Sequence, residues 1–190
     1  MVLSALLAGE SVVLPTDTVY GLCALPTEDA VGRLRALKGT PEEQPISLLC
    51  ASLEGLLRHA PWLRGRPELV LLPGPFTLVV PNPDGSYPWL TGSRPDTIGV
   101  RIPELRGEAL AAVIELGGVA ATSANLHDAP DPRRLEDVPA EIRAAATALD
   151  GGELPGTPST VIDFTGAEPR VLREGAAPSE EAIRRVRGED

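Results

Sequence analysis

Short apolar runs that end at Gly or Pro predict the strands of this protein. The run over residues 11–14 is typical, because it is brief, rich in β-branched side chains and stopped by Pro15. Runs of the same kind lie at residues 46–50, 76–80, 97–103, 119–121, 159–163 and 170–173.

Apolar residues at helical spacing predict the helices. After Thr27, which we expect to cap the helix, Val31 and Leu34 share one face, and Gly39 ends the pattern so that Lys38 lies in the last turn. Similar patterns predict helices at residues 2–8, 53–59, 107–116, 139–146 and 179–187, the second capped by Ser52.

The order of these elements predicts the fold class. Strands alternate with helices but also follow one another directly, which favours a mixed α/β sheet over a purely parallel one. The chain has 190 residues, 43% of them hydrophobic, and no long linker. We therefore expect a single domain over residues 1–190, with no second C-terminal domain.

Composition excludes several classes of protein. No apolar run approaches the length of a membrane-spanning helix, and the N-terminus lacks the basic start of a signal peptide. Cys23 and Cys50 are isolated, without the Cys-x-x-Cys pairs of a zinc site, so we expect two buried free thiols in a cytoplasmic protein and no metal site.

The sequence lacks several common catalytic and nucleotide-binding motifs. His59 and His127 are the only histidines, and Gly-x-Ser-x-Gly, Gly-x-x-x-x-Gly-Lys and Gly-x-Gly-x-x-Gly motifs are all absent. A serine or cysteine nucleophile, a Walker loop and a dinucleotide-binding fingerprint are therefore not expected.

Polar side chains at the ends of predicted strands are the remaining candidates. Hydroxyl, amide and cationic groups in these positions suit a site that orients a polar, anionic ligand. Lys38 stands out, because the other 16 basic residues are all Arg. The candidates are Thr16, Asp17, Thr18, Tyr20, Lys38, Thr97, Arg101, Ser123, Asn125, Ser159, Thr160 and Arg173.

Seven motifs resemble the YrdC-like family of threonylcarbamoyl-AMP synthases. They occur in the family's order and near its spacing, over about residues 5–177. The motifs are the segments 15–22 (PTDTVYGL), 38–39 (KG) with prolines at 41 and 45, 73–78 (PGPFTL), 98–103 (IGVRIP), 123–125 (SAN), 159–163 (STVID) and 172–175 (LREG).

The resemblance implies a fold and an activity. The fold is a YrdC-like twisted mixed sheet, flanked by helices, with a concave ligand-binding face. The activity is that of a nucleotidyltransferase: L-threonylcarbamoyladenylate and pyrophosphate are formed from L-threonine, bicarbonate and ATP, with Mg²⁺, for the tRNA t6A modification. Proteins of that pathway are expected partners, and a weak activity is compatible with the departures described below.

The resemblance also assigns residues by motif. Thr18, Arg101, Ser123 and Ser159 match the threonine-binding positions, where Arg101 is expected to clamp the carboxylate with two bonds. A second group matches the ATP-binding positions and includes Lys38. We also expect Lys38 to be catalytic, because its ammonium stabilises charge on the triphosphate. That group comprises Lys38, Gln44, Thr97, Asn125 and Arg173.

Three departures place the chain between the synthases and the YciO-type paralogues. Thr40 stands where the family has a phosphate-binding Arg, Leu49 stands where many members have His, and the residues 126–128 replace a Ser-Gly pair. If Thr40 faces the phosphates, Thr40→Arg should strengthen ATP binding, unless another arginine such as Arg133 already fills the gap.

Two other functions stay open at this point. A non-catalytic YciO-type protein that binds double-stranded RNA would use arginine groups, although the net charge of −10 and the scarcity of aromatic residues predict only weak binding to RNA or tRNA. A carbamoyl-transfer enzyme would need partner domains. The candidate RNA-binding groups are Arg33 with Arg35 and Lys38, Arg64 with Arg66, and Arg133 with Arg134.

Overall fold

A computed structural model describes residues 1–189 and contains one nine-stranded sheet with helices on both faces. The strands are β1 (Val12–Pro15), β2 (Tyr20–Ala24), β3 (Ser47–Leu49), β4 (Phe76–Pro81), β5 (Thr97–Arg101), β6 (Val119–Ser123), β7 (Thr147–Ala148), β8 (Thr160–Asp163) and β9 (Arg170–Arg173). The helices are α1 (Val2–Leu7), α2 (Glu28–Lys38), α3 (Leu53–His59), α4 (Gly107–Leu116), α5 (Ala140–Ala145) and α6 (Ser179–Arg187).

The sheet is mixed, with the strand order β7-β1-β2-β6-β3-β5-β4-β8-β9. Three of its pairs are parallel, namely β1 with β7, β3 with β5 and β4 with β8, and the other pairs are antiparallel. The predicted mixed α/β class is confirmed.

One face of the sheet is closed by four helices. Leu48, Val100, Leu78 and Ile162 lie opposite one another across adjacent strands. These side chains are fully buried under α2, α3, α5 and α6. Because side chains alternate along a strand, this packing sends every second residue to the other face.

The other face is covered at one end only. There α1 and α4 pack on an apolar patch that includes Val12, Cys23 and Val119. Farther along the same face the central strands carry small side chains, among them Gly21, Gly99 and Ser47. The small side chains leave a depression where no helix covers the sheet, and this depression is the floor of the site.

The predicted helices and strands are confirmed, with ends that differ by one or two residues. Ser52 caps α3 by accepting a hydrogen bond from the amide of Gly55 at 3.1 Å, whereas Thr27 precedes α2 without a side-chain cap. Cys23 and Cys50 are buried free thiols, as predicted. No helix within residues 1–189 has both the length and the apolar character needed to cross a bilayer.

Removal of a central side chain tests the closed face. Leu78 is fully buried between the sheet and the helices, so Leu78→Ala should lower the free energy of unfolding by about 2–5 kcal/mol in chemical denaturation. Ile114 is 57% exposed on α4, and Ile114→Ala should change the same quantity by no more than about 0.5 kcal/mol. Equal effects of the two variants would contradict the assigned packing.

Candidate active site on the half-covered face

The depression is a cavity of about 550 Å³ lined by residues from seven strands and their loops. Strand register explains the convergence: Gly21 pairs with Ser123, Leu49 with Arg101 and Val79 with Gly99, so that all six residues lie on one face. Of the nine predicted binding residues, eight line this cavity: Lys38, Gln44, Thr97, Arg101, Ser123, Asn125, Ser159 and Arg173.

The turn between β1 and β2 is stiffened by Thr16. Its hydroxyl accepts hydrogen bonds from the amides of Thr18 and Val19, at 3.2 and 3.3 Å, and donates to the carbonyl of Val19 at 2.7 Å. The Thr18 hydroxyl lies 3.0 Å from the Thr16 hydroxyl. Because the Thr16 proton is already used, Thr18 donates in that contact and can then only accept.

Arg101 is anchored by this turn. Its Nη2 donates to Asp17 Oδ1 at 2.5 Å and to the Thr18 hydroxyl at 2.6 Å. Arg101 and Asp17 are each only 12% exposed, so the carboxylate offsets the charge of a guanidinium that would otherwise be costly to bury. Thr18 is fully buried behind Arg101 and acts here by positioning the guanidinium.

This geometry changes how Arg101 can meet a ligand. Both Nη2 protons are used, and Nε is buried without a partner. Nη1 is the remaining donor nitrogen, so Arg101 offers an incoming carboxylate a contact from one nitrogen. The expected two-bond clamp would require Asp17 or Thr18 to release Nη2 first.

Lys38 ends α2 and reaches the turn after β6. Its Nζ donates to the carbonyls of Ser123 and Asn125, both at 2.7 Å, and to Asn125 Oδ1. These acceptors are neutral, so the ammonium charge is not cancelled by a direct ion pair within residues 1–189. Burial lowers the pKa of Lys38 to about 8, and the nearby Asp131 carboxylate partly opposes this shift.

The Ser123–Asn125 turn is ordered by the same network. Ser123 Oγ donates to Asn125 Oδ1 at 2.7 Å, and Asn125 Nδ2 donates to the carbonyl of Ala129. The backbone amide of His127 donates to the Lys38 carbonyl at 3.2 Å. The end of α2 and the turn are thereby held together at the cavity wall.

A second cationic group lies at the far end of the sheet. Arg173 on the edge strand β9 donates from Nε and Nη2 to the Ser159 carbonyl, at 3.1 and 2.9 Å, and from Nη2 to Ser159 Oγ at 3.2 Å. Ser159 Oγ also lies 2.8 Å from the Thr77 hydroxyl. Arg173 forms no direct ion pair with a carboxylate among the described residues, and the nearby Asp131 carboxylate offsets part of its charge.

The loop after Lys38 corrects one expectation. Gln44 stands at the cavity rim, but Thr40 is not part of the cavity wall. Thr40 lies in a separate shallow depression beside Arg35, and its hydroxyl is buried without a partner. Position 40 therefore does not face a ligand in the cavity, and Thr40→Arg should not strengthen ATP binding directly. Arg133 does not replace the missing phosphate-binding arginine either, because it pairs with Glu153 at 2.9 Å.

Several lining residues escaped the sequence analysis. Arg94 precedes β5 in a loop rich in Pro and Gly, and Asp131 follows the 123–125 turn in a loop that contains Pro130 and Pro132. Thr77 lies inside an apolar strand, where a β-branched residue is expected for structural reasons alone. A signal in the sequence existed for Thr77, because it belongs to the 73–78 motif.

The arginine groups considered for RNA binding are mostly engaged within the protein. Arg133 and Arg134 both pair with Glu153, and Arg66 pairs with Glu68 at 2.6 Å. Arg35 is buried and donates to the backbone carbonyls of Pro41 and Trp89. Together with the net charge of −10, these contacts disfavour RNA binding through these four arginines.

Because Lys38 is the only lysine, its ionisation can be measured without interference. In protein labelled with ¹³C-lysine, the single Cε resonance should titrate with a midpoint near pH 8. A midpoint near the 10.5 of a solvated lysine would contradict the burial of its ammonium.

The same shift has a consequence for stability. The unfolded chain binds more protons than the folded chain between about pH 8 and 10.5, so the free energy of unfolding rises with pH in this window. Lys38→Met should lack this rise, which denaturation of both proteins at pH 7.5 and 9.5 would show.

Comparison with known proteins agrees with the geometry. The Sua5/YciO/YrdC family model, described as "Telomere recombination", matches residues 4–175. The threonylcarbamoyl-AMP synthase of Pyrococcus abyssi is 38% identical over 95% of this chain, and the match spans 54% of that relative. The putative threonylcarbamoyl-AMP synthase of Mycobacterium tuberculosis is 37% identical over 98% of this chain and 87% of its own length.

Two solved structures show the same fold. Pyrococcus abyssi Sua5 complexed with L-threonine superimposes with a TM-score of 0.81 at 37% identity, over 98% of this chain and 56% of that chain. Escherichia coli YciO, at 23% identity, has a TM-score of 0.77 over 95% of this chain and 90% of its own. The chain thus spans about half of the Pyrococcus abyssi protein, and over that span it belongs to the Sua5/YciO/YrdC family.

Proposed function

We propose that this protein is an L-threonylcarbamoyladenylate synthase. It joins L-threonine, bicarbonate and ATP into threonylcarbamoyl-AMP and releases pyrophosphate, and its product supplies the tRNA t6A modification. The observation that carries the proposal is the convergence on one cavity of eight of the nine residues that the resemblance assigns to the substrates, which come from all along the chain.

The relatives support the synthase over the YciO-type alternative. Two relatives with 37–38% identity are named as synthases or putative synthases, whereas the likeness to YciO at 23% identity concerns the fold. The Pyrococcus abyssi protein has been crystallised with L-threonine, which supports threonine as the amino acid for this cavity.

The cations of the cavity suit substrates with several negative charges. Lys38, Arg94, Arg101 and Arg173 line it, against Asp128 and Asp131. Arg101 is already offset by Asp17, which suits the single charge of an amino-acid carboxylate. Lys38 and Arg173 have no carboxylate as a direct partner among residues 1–189, and only the nearby Asp131 carboxylate offsets part of their charge, which suits the triphosphate.

The proposed reaction needs no covalent intermediate on the protein. Threonine condenses with bicarbonate, with loss of water, and an oxygen of the resulting N-carboxylate attacks the α-phosphorus of ATP. The bond from the α-phosphorus to the oxygen bridging to the β-phosphorus breaks, and pyrophosphate leaves with the electron pair. The chain's residues hold the reactants in place and stabilise the charge that develops on the phosphates.

Magnesium enters this proposal as part of the substrate Mg-ATP. Residues 1–189 contain no group of three or more His, Cys, Asp or Glu side chains arranged to hold a metal ion. Phosphate oxygens and water are the usual ligands of Mg²⁺ on a nucleotide. The protein's part is then to bind the nucleotide's remaining charge through Lys38 and Arg173.

The proposal is tested by direct detection of the product. Purified protein with L-threonine, bicarbonate, Mg²⁺ and ATP should form threonylcarbamoyl-AMP, seen by mass spectrometry, together with an equal amount of pyrophosphate. Lys38→Met should lower turnover by about 100-fold or more, because it removes a buried charge next to the phosphates.

A surface variant provides the control. Arg133 is 54% exposed and outside the cavity, so Arg133→Ala should keep turnover within about twofold of the unmodified protein. Absence of threonylcarbamoyl-AMP with all substrates present would overturn the proposal. Steep, salt-sensitive RNA binding in such an inactive protein would then favour the RNA-binding alternative.

A further inference from the structure

Arg94 is a fourth cation of the cavity, besides Lys38, Arg101 and Arg173. It lies in the loop before β5 and lines the cavity together with Gln44 and Thr97. Its backbone is fixed close to that site, because the Thr97 hydroxyl donates to the Arg94 carbonyl at 3.1 Å.

The loop of Arg94 packs directly on the loop that follows Lys38. The amide of Ser93 donates to the Glu43 carbonyl at 3.1 Å. Gly92 has a φ of +62°, and a Cβ there would lie 2.3 Å from the Glu43 carbonyl oxygen, so only glycine permits this approach. Arg94 therefore stands beside the 40–45 loop, on the cavity side that Thr40 does not reach.

The guanidinium of Arg94 is held in one orientation. Nη1 donates to Asp163 Oδ2 at 2.7 Å, and Nη2 donates to the Thr165 hydroxyl at 3.0 Å. Asp163 is itself fixed, since its Oδ1 accepts from the amide of Thr165 at 2.9 Å and from the same hydroxyl. The Arg94 side chain still keeps 40% of its surface exposed, so it is oriented without being enclosed.

The ion pair with Asp163 does not cancel all of the positive charge around Arg94. Arg170 lies 3.5 Å from the same Asp163 oxygen, so two guanidinium groups share one carboxylate and the cluster carries a net charge of about +1 at neutral pH. The Arg94 protons that point away from Asp163 and Thr165 have no partner among the described residues. A fixed, planar guanidinium with free donors is the arrangement that proteins use for phosphate.

We propose that Arg94 binds the phosphate chain of the nucleotide, with Asp163 as its positioning residue. Arg94 thus supplies the guanidinium that is missing after Lys38. This inference rests on the proposed function for the identity of the nucleotide, but nucleotide binding can be measured without turnover.

The test compares two arginines that share one carboxylate. Titration calorimetry with ATP and with pyrophosphate should show about 10- to 150-fold weaker binding for Arg94→Gln, as for loss of charge-assisted contacts. Arg170→Gln removes the same charge from the same cluster, but Arg170 is 70% exposed and outside the cavity, so its binding should stay within about twofold. L-threonine should bind equally to both variants.

Other outcomes would overturn the inference. If both variants weaken the binding of ATP equally, the effect comes from the net positive charge of the cluster and not from a contact with Arg94. An additional loss of L-threonine binding in Arg94→Gln would assign Arg94 a purely structural role, and unchanged ATP binding would exclude any contact. If Arg94→Gln does not fold, Arg94→Lys against Arg170→Lys makes the same comparison, since lysine keeps the charge but lacks the planar fork.

The proposed synthase activity can fail separately from this inference. A chain that binds ATP through Arg94 but forms no threonylcarbamoyl-AMP would refute the synthase and keep the phosphate site. If the unmodified chain forms the product and Arg94→Gln binds ATP normally, the synthase activity stands and the phosphate site at Arg94 is refuted.

Discussion

The uneven covering of one sheet face is the constraint on which this structure depends. Side-chain alternation sends half of each strand to a face that α1 and α4 cover only at one end. Small residues such as Gly21, Gly99 and Ser47 then keep the uncovered part open. A helix over this region, or large apolar side chains in these positions, would turn the site into ordinary core.

Strand register turns this open face into a site with two kinds of cation. Arg101, next to the rigid Thr16 turn, is offset by Asp17, whereas Lys38 and Arg173 approach from opposite sides with only neutral oxygen atoms as direct partners. The polar groups bond to one another before any ligand arrives. A ligand therefore meets charged groups that are already fixed in place, which lowers the entropy cost of assembling the site.

The sequence predicted the fold, and it predicted eight binding residues that the structure brings to one cavity, for reasons that particular residues make clear. Apolar periodicity located α2 and therefore Lys38, and the seven motifs located the strand ends that line the cavity. The two-residue strand β7 was missed, because Thr147 and Ala148 have no pattern of their own and become a strand only by pairing with β1.

Side-chain partners were harder to predict than positions. Nothing local in the sequence shows that Thr18 lies behind Arg101, or that Thr40 lies outside the cavity wall, since both depend on contacts between distant segments. Arg94 was missed for a similar reason: a lone arginine in a loop usually faces solvent, and only the tertiary packing of residues 92–94 on Glu43 brings it to the cavity.

The most direct test of this account is a crystal structure of the protein with L-threonine and a non-hydrolysable ATP analogue. We expect both ligands in the one cavity, with the threonine carboxylate about 3 Å from Arg101 Nη1 and the phosphates near Lys38 and Arg173. A nucleotide bound outside the cavity, or phosphates at Arg101 with threonine elsewhere, would contradict the assignment of threonine to Arg101 and of the phosphates to Lys38 and Arg173.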